Sequence, residues 1–189
     1  MNREKMIDRL RGKISEKRFE HSIGVEFTAA CLAMRYGEEL ERARIAGLLH
    51  DCAKGIPTKD KILKAKKHGI PISKCEQANP DMLHAKLGAY YARFKYGVLD
   101  TVILDAIRYH TTGRPEMTLL DKIIFVADYI EPNRKMIPGL TEIRRESFND
   151  YNKACGMILE NVIKYINEIA DDEIDEDSRI TFEYYKRYL

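Results

Sequence analysis

Six side chains of two kinds carry the chemistry that this sequence can support: His21, His50, Asp51, His84, His110 and Asp128. In "AGLLHDCAKG", residues 46–55, an apolar run ends on His50 and Asp51, with Lys54 one turn later. Burial of such groups is unfavourable unless each finds a partner, a hydrogen-bond network or a metal. Asp128 poses the same problem inside "LLDKIIFVADYI", which is otherwise apolar except at Asp121 and Lys122. His21, His84 and His110 each fall in or at the end of an apolar helical stretch. Taken singly, a histidine so placed is more often a hydrogen-bonded core residue than a ligand. Taken together, four imidazoles and two carboxylates are the donor set of a divalent metal site of hard to borderline character. His68 lies in a lysine-rich stretch and is assigned no role. Cys52 is read as a small buried thiol rather than as a nucleophile.

Helical periodicity has to position these groups. Residues 16–36 carry Phe19, Ile23, Phe27, Ala30 and Met34 on one stripe and Val25, Ala29 and Leu32 on another. A helix apolar on two sides is a central, buried one. Residues 39–53 read as a second helix that carries His50 and Asp51 near its end. "IPTKDKILKAKKHGI" reads as a surface helix capped by Thr58 and ended by Gly69. Residues 72–81 are polar and turn-prone, a loop ahead of a helix over about 81–96 that holds His84. Amphipathic helices over 99–109 and 118–131 hold His110 and Asp128, separated by "TTGRPEM". Pro132 and Pro138 bracket a further loop. Residues 142–170 supply one or two more helices, with Gly156 a possible break. The acidic run "DDEIDED", residues 171–177, reads as a solvated turn. Strand alternation, internal repeats and low-complexity tracts are absent from the sequence, so the fold class is all-α.

Length and composition narrow the classes. A chain of 189 residues suits one domain with a real core. A hydrophobic content of 44% with 33% charged residues describes a soluble globular protein. A net charge of +2 gives no global electrostatic case for nucleic acid or a membrane surface. No apolar run approaches a bilayer span. The charged start "MNREKMIDRL" lacks the apolar centre of a signal peptide. Four cysteines without a C-x-x-C spacing argue against a zinc ribbon or disulfide framework and point to the cytoplasm. No P-loop motif is present. Tyr90, Tyr91 and Phe94, read as exposed aromatics, offer a face for a homodimer.

The order His21, His50-Asp51, His84, His110, Asp128 resembles the HD-domain superfamily of metal-dependent phosphohydrolases, all-α helical bundles. The resemblance implies that His21, His50, Asp51 and Asp128 surround one ion. It implies that His84 and His110 hold a second, with Asp51 as the bridge. Two ions so bridged share a hydroxide, because each lowers the pKa of bound water. Such a pair of ions would supply a nucleophile for in-line attack on phosphorus. Lys54, three residues after Asp51, and Arg18, three before His21, are placed to bind phosphate.

Longer stretches make the likeness closer. "RFEHSIGV", "AGLLHDCAKG", "LHAKLGAYYA", "AIRYHTTG", "ADYIEPNR" and "TFEYY" look like the YqeK-type HD proteins, across about residues 18–185. These are bacterial symmetrical bis(5'-nucleosyl)-tetraphosphatases, also linked in older schemes to NAD metabolism. Ala85 departs from the glycine that commonly follows the histidine at His84, a change that bears on local backbone geometry. Membership would imply hydrolysis of diadenosine tetraphosphate to two ADP, with Asp51, His84 and Lys54 as catalytic residues. Two divalent transition-metal ions would serve, iron being the usual assignment and manganese, cobalt or zinc compatible with the ligands. Carried over by position, Arg18, Lys54, Thr111, Thr112 and Arg134 would contact the nucleotide, and Thr181 and Tyr185 would close over the base. A single domain over 1–189 follows, with a core at about 18–131 and C-terminal helices over 139–189 completing the pocket. Three alternatives stay open: an HD nucleotidase or alarmone hydrolase of other specificity, a non-catalytic nucleotide sensor, and a plain helical scaffold.

Overall fold

The computed structural model describes residues 2–167 and 174–189, so residues 171–173 of the acidic run lie outside the described residues. Helices and turns make up the described chain: α1 (Arg3–Arg11), α2 (Glu16–Tyr36), α3 (Leu40–Leu49), α4 (Thr58–Lys67) and α5 (Lys74–Ala78). A 3₁₀ turn (Pro80–Leu83) leads into α6 (His84–Phe94), then α7 (Thr101–Tyr109) and α8 (Leu119–Ile130). The chain continues through α9 (Leu140–Glu146), α10 (Tyr151–Tyr165) and α11 (Glu176–Tyr185). The central layer is α2, α3, α7 and α8, which pack on one another, with α6 laid against α7.

Ser15 caps α2 by accepting from the Arg18 N–H, and Gly37, at φ 81°, ends it in the left-handed region. Only one flank of α2 is fully covered. Val25, Ala29 and Leu32 are buried, whereas Phe27 and Met34 of the other stripe are 55% and 68% exposed. Two-sided burial therefore fails at those two positions, although Phe19 and Ala30 of the same stripe are buried, with Arg11 of α1 over the Phe19 ring at 4.4 Å.

Helices α2 and α3 approach closely in the core. A Cβ on Gly47 would lie 2.9 Å from Glu26 Cα and 3.1 Å from Val25 O, so only glycine fits there. Glu26, fully buried, accepts from Arg3 at 2.6 and 2.8 Å and from Arg44 at 3.2 Å. One buried carboxylate thus ties α1, α2 and α3 together.

The second helix stops at Leu49, short of the 39–53 expected. His50 to Gly55 form successive tight turns instead, held by Cys52 N–H to Leu49 O and Lys54 N–H to Asp51 O. Thr58 does not cap α4; Pro57 stands at the cap and the Thr58 hydroxyl donates to Asp81 at 2.6 Å. The expected loop at 72–81 contains α5, nucleated by a capping box in which Ser73 and Glu76 satisfy each other's backbone N–H groups. Gly156 does not break α10; the Leu189 side chain and Tyr185 O sit 3.1 Å from where its Cβ would be. Of the three aromatics on α6, only Phe94 is exposed, since Tyr90 stacks on His68 at 4.1 Å and Tyr91 packs against buried neighbours. Among the described residues, no helix is long and apolar enough to cross a membrane.

The C-terminal helix closes against the start of α8. Tyr185 is 1% exposed and its hydroxyl accepts from the Met117 N–H at 3.1 Å. Thr181 is fully buried, donates to Asp177 O at 2.6 Å, and sets its methyl 2.8 Å from where a Cβ on Gly113 would be. Both residues lie within the packing rather than on an open face.

Gly47→Ala forces α2 and α3 apart and is expected to destabilise the fold by about 1–3 kcal/mol, read from the urea midpoint. Tyr185→Phe leaves the buried Met117 N–H without an acceptor and is expected to lose about 1–3 kcal/mol in the same assay.

Candidate metal centre

The six side chains converge from five elements. His21 comes from the middle of α2, Asp128 from the last turn of α8, and His50 and Asp51 from the turn after α3. His84 opens α6, and His110 follows the last residue of α7. Except for half-buried Asp128, all are buried.

Three of the four imidazoles are fixed by one local device. His50 Nδ1 donates to Gly47 O at 2.7 Å, His84 Nδ1 to Asp81 O at 2.6 Å, and His110 Nδ1 to Ile107 O at 2.7 Å. Each ring reaches back three residues to a carbonyl of a terminal helical turn: Gly47 and Ile107 at the ends of α3 and α7, and Asp81 in the 3₁₀ turn, whose carbonyl also accepts from the His84 N–H. This bond sets the tautomer and turns Nε2 away from the helix end. His21 sits mid-helix, where no such carbonyl is available. Its Nδ1 is held by Glu131 Oε1 at 3.1 Å and its Nε2 lies 3.0 Å from Asp128 Oδ1.

Asp51 occupies the middle. Oδ2 faces His50 Nε2 at 3.6 Å, and Oδ1 faces His84 Nε2 at 3.3 Å and His110 Nε2 at 3.8 Å. Three donor sets have ligand atoms within 4.8 Å of one another: His21–His50–Asp51, His50–His110–Asp128 and Asp51–His84–His110. The two oxygens of Asp51 therefore serve two adjoining halves of one centre. His50 Nε2 is buried and has no hydrogen-bond partner. An orphan imidazole nitrogen facing two carboxylates is what a cation-binding centre requires, so the residues fit divalent metal.

Electrostatics agree. Burial pushes the His50 imidazole down to about 4 and His84 down to about 3, keeping both neutral, as ligation needs. Burial alone would raise Asp51 and Asp128, but the surrounding imidazoles hold both below the usual carboxylate range. Burial also opposes a charged His21, yet Asp128 and Glu131 on its two nitrogens outweigh this and raise it.

Cations rim the carboxylates. Arg18 Nη1 is 2.7 Å from Asp51 Oδ2, Arg134 Nη1 is 3.7 Å from Asp128 Oδ1, and Lys54 Nζ is 3.3 Å from His84 Nδ1. Burial lowers the Lys54 ammonium against the pull of Asp51. Thr111 brings its hydroxyl within 3.3 Å of His110 Nε2, whereas Thr112 donates to Gly113 O and stays in its own turn. Cys52 is buried with its thiol donating to Gly88 O at 3.5 Å, and burial pushes its pKa well up, so it packs and does not react.

Glu131 was not among the residues singled out from the sequence, although it stands three positions after Asp128 in "ADYIEPNR". It is 1% exposed and also accepts from the Asn133 N–H at 2.7 Å. Gly24 makes room for it: a Cβ there would lie 2.5 Å from Glu131 Oε2. A buried acid at the end of an apolar helix was the available signal.

Comparison with known proteins is consistent with this geometry. The HD domain family matches residues 18–133. The chain is 42% identical over 166 residues to the symmetrical bis(5'-nucleosyl)-tetraphosphatase of Bacillus subtilis, covering 88% of each sequence. It is 38% identical over 151 residues to the enzyme of that name from Staphylococcus aureus, covering 79% of this chain and 76% of that one. A crystal structure from Clostridium acetobutylicum, of an HD superfamily hydrolase described as involved in NAD metabolism, superposes with a TM-score of 0.95 at 38% identity. The superposition covers 100% of this chain and 99% of that one. HD-domain hydrolases bind divalent metals, and the His and Asp cluster sits inside the matched segment. The chain belongs to the HD domain family.

Proposed function

We propose that the chain is a metal-dependent hydrolase that cleaves diadenosine tetraphosphate symmetrically, adding one water across the central P–O–P bond to release two ADP. The observation that carries this reading is Asp51, whose two oxygens face two sets of imidazoles while Arg18, Lys54 and Arg134 stand around the carboxylates. The names of relatives that match across most of the chain support the substrate. A pair of divalent ions, which we take to be iron, would supply Lewis acidity and a nucleophile at neutral pH when bound.

In this reading His21, His50, Asp51 and Asp128 hold one side of the centre and His84 and His110 the other, with Asp51 shared. Arg18 and Arg134, partly exposed and now paired with carboxylates, swing onto phosphoryl oxygens as substrate arrives. Lys54, beside His84, neutralises charge that develops on the leaving diphosphate. The Thr111 hydroxyl lies close enough to His84 and His110 to orient a phosphoryl oxygen. Thr181 and Tyr185 act indirectly, by backing the turn from His110 to Gly113 and the start of α8. Glu131 holds the His21 ring through Nδ1, leaving Nε2 for the centre.

Chromatography of the products should show ADP alone from diadenosine tetraphosphate. AMP with ATP would contradict the symmetric cut. Rapid turnover of a mononucleotide or an alarmone with diadenosine tetraphosphate untouched would move the substrate elsewhere in the family. Asp51→Asn is expected to lose more activity than the roughly 10- to 100-fold typical of outer-sphere partners while nucleotide binding persists. Unchanged turnover in that variant would favour a sensor. Glu131→Gln is expected to weaken metal affinity roughly 10- to 100-fold, measured by calorimetric titration, with the helical content unaltered.

A further inference from the structure

Lys61 is among the largest fully buried side chains, 2% exposed, yet it carries an ammonium group and belongs to α4, which contributes no ligand. Immobilising a lysine stem gives up more rotamer freedom than almost any other side chain. Its Nζ donates to Asp81 Oδ1 at 2.6 Å, and the Thr58 hydroxyl donates to the same oxygen at 2.6 Å. The Asp81 side chain is itself 52% exposed, so the pair is not a sealed ion bridge. A leucine or methionine at position 61 would fill the space as well; the ammonium adds only its grip on Asp81.

Asp81 lies in the 3₁₀ turn Pro80–Leu83, and its backbone carbonyl accepts from both the His84 N–H and His84 Nδ1. The orientation of that carbonyl decides where the His84 ring points. Leu83, from the same turn, is buried with Ala53, Ala65 and Leu87 in a small satellite core that includes α4. Ala65 stands one helical turn beyond Lys61 on the same face of α4, so its apolar and ionic contacts lie side by side.

We propose that Lys61 and Thr58 are positioning residues for His84: by clamping the Asp81 carboxylate they hold the Asp81 carbonyl, which aims His84 Nε2 at Asp51 and His110. The inference rests on the reading of His84 as a metal ligand. His84 Nε2 stands 3.3 Å from Asp51 Oδ1 and 3.2 Å from His110 Nε2, so a rotation of the turn would take it out of both contacts. His50 and His110 hang on their own carbonyls, Gly47 and Ile107, and are independent of this clamp.

The test uses the full chain loaded with Zn²⁺, a diamagnetic ion, and long-range ¹H–¹⁵N spectra of the histidine rings. Lys61→Met is expected to raise the exchange rate of the His84 Nδ1–H about tenfold, equivalent to about 1.4 kcal/mol of lost local order, while His50 and His110 stay at wild-type rates. Asp81→Ala, which alters a half-exposed side chain and should fold regardless, is expected to do the same. Lys61→Arg, which keeps the cation, should recover most of the protection. An unchanged His84 signal in both Lys61→Met and Asp81→Ala would overturn the proposal, as would an equal rise at all three rings. A wild-type His84 Nε2 shift that ignores Zn²⁺ would instead overturn the ligand reading, and is seen without any variant.

Discussion

A carboxylate that is 3% exposed at the junction of five structural elements is the constraint around which this molecule is built. Asp51 cannot stay ionised there unaided, because low-dielectric surroundings disfavour an isolated charge by many kcal/mol. Arg18 at 2.7 Å supplies part of what water would otherwise provide, and a cation held between the carboxylate and the imidazoles on its two sides would supply the rest. Each of those groups comes from a different part of the chain. The bundle therefore has to bring α2, α3, α6 and α7 to one point before that charge is tolerable, and α8 adds Asp128 at the same place.

The way the rings are held follows from helix ends. A helix leaves its last carbonyls without backbone partners; His50 and His110 each use one through Nδ1, and His84 shares the Asp81 carbonyl of the 3₁₀ turn with its own N–H. Termination and ligand orientation thus become a single event: where the helical turn stops, the ring folds back and its other nitrogen projects outward. His21 has no helix end beside it and depends on Glu131 instead. That exception explains a glycine in the middle of α2, since Gly24 clears the space that Glu131 occupies.

The local pattern of the sequence revealed much of this and missed some of it for identifiable reasons. The span of α2, residues 16–36, agrees at both ends, where Ser15 and Gly37 form the caps. The end of α3 was placed four residues too late, since nothing in "AGLLHDCAKG" shows that His50 would bond back to Gly47. Lys54 nevertheless lies by His84, through tight turns rather than along a helix. Phe27 and Met34 looked like core because periodicity reports apolar faces and not which face has neighbours. Burial of Tyr185 and Thr181 was not legible, because aromatic and hydroxyl groups serve interior hydrogen bonds as readily as a bound nucleotide.

By itself the sequence determined the all-α class, the order of the six donors, and the cations spaced three residues from His21 and Asp51. These are matters of residue type and near-neighbour spacing, which helical geometry translates directly into faces and turns. Only the tertiary structure decided which donors share an oxygen, that Glu131 backs His21, and that α4 reaches His84 through Lys61 and Asp81. The links from Lys61 to Asp81 and from His21 to Glu131 join residues 20 and 110 positions apart in the chain. No local propensity encodes them; they exist because close packing leaves each buried polar group only the partners that neighbouring helices bring within reach.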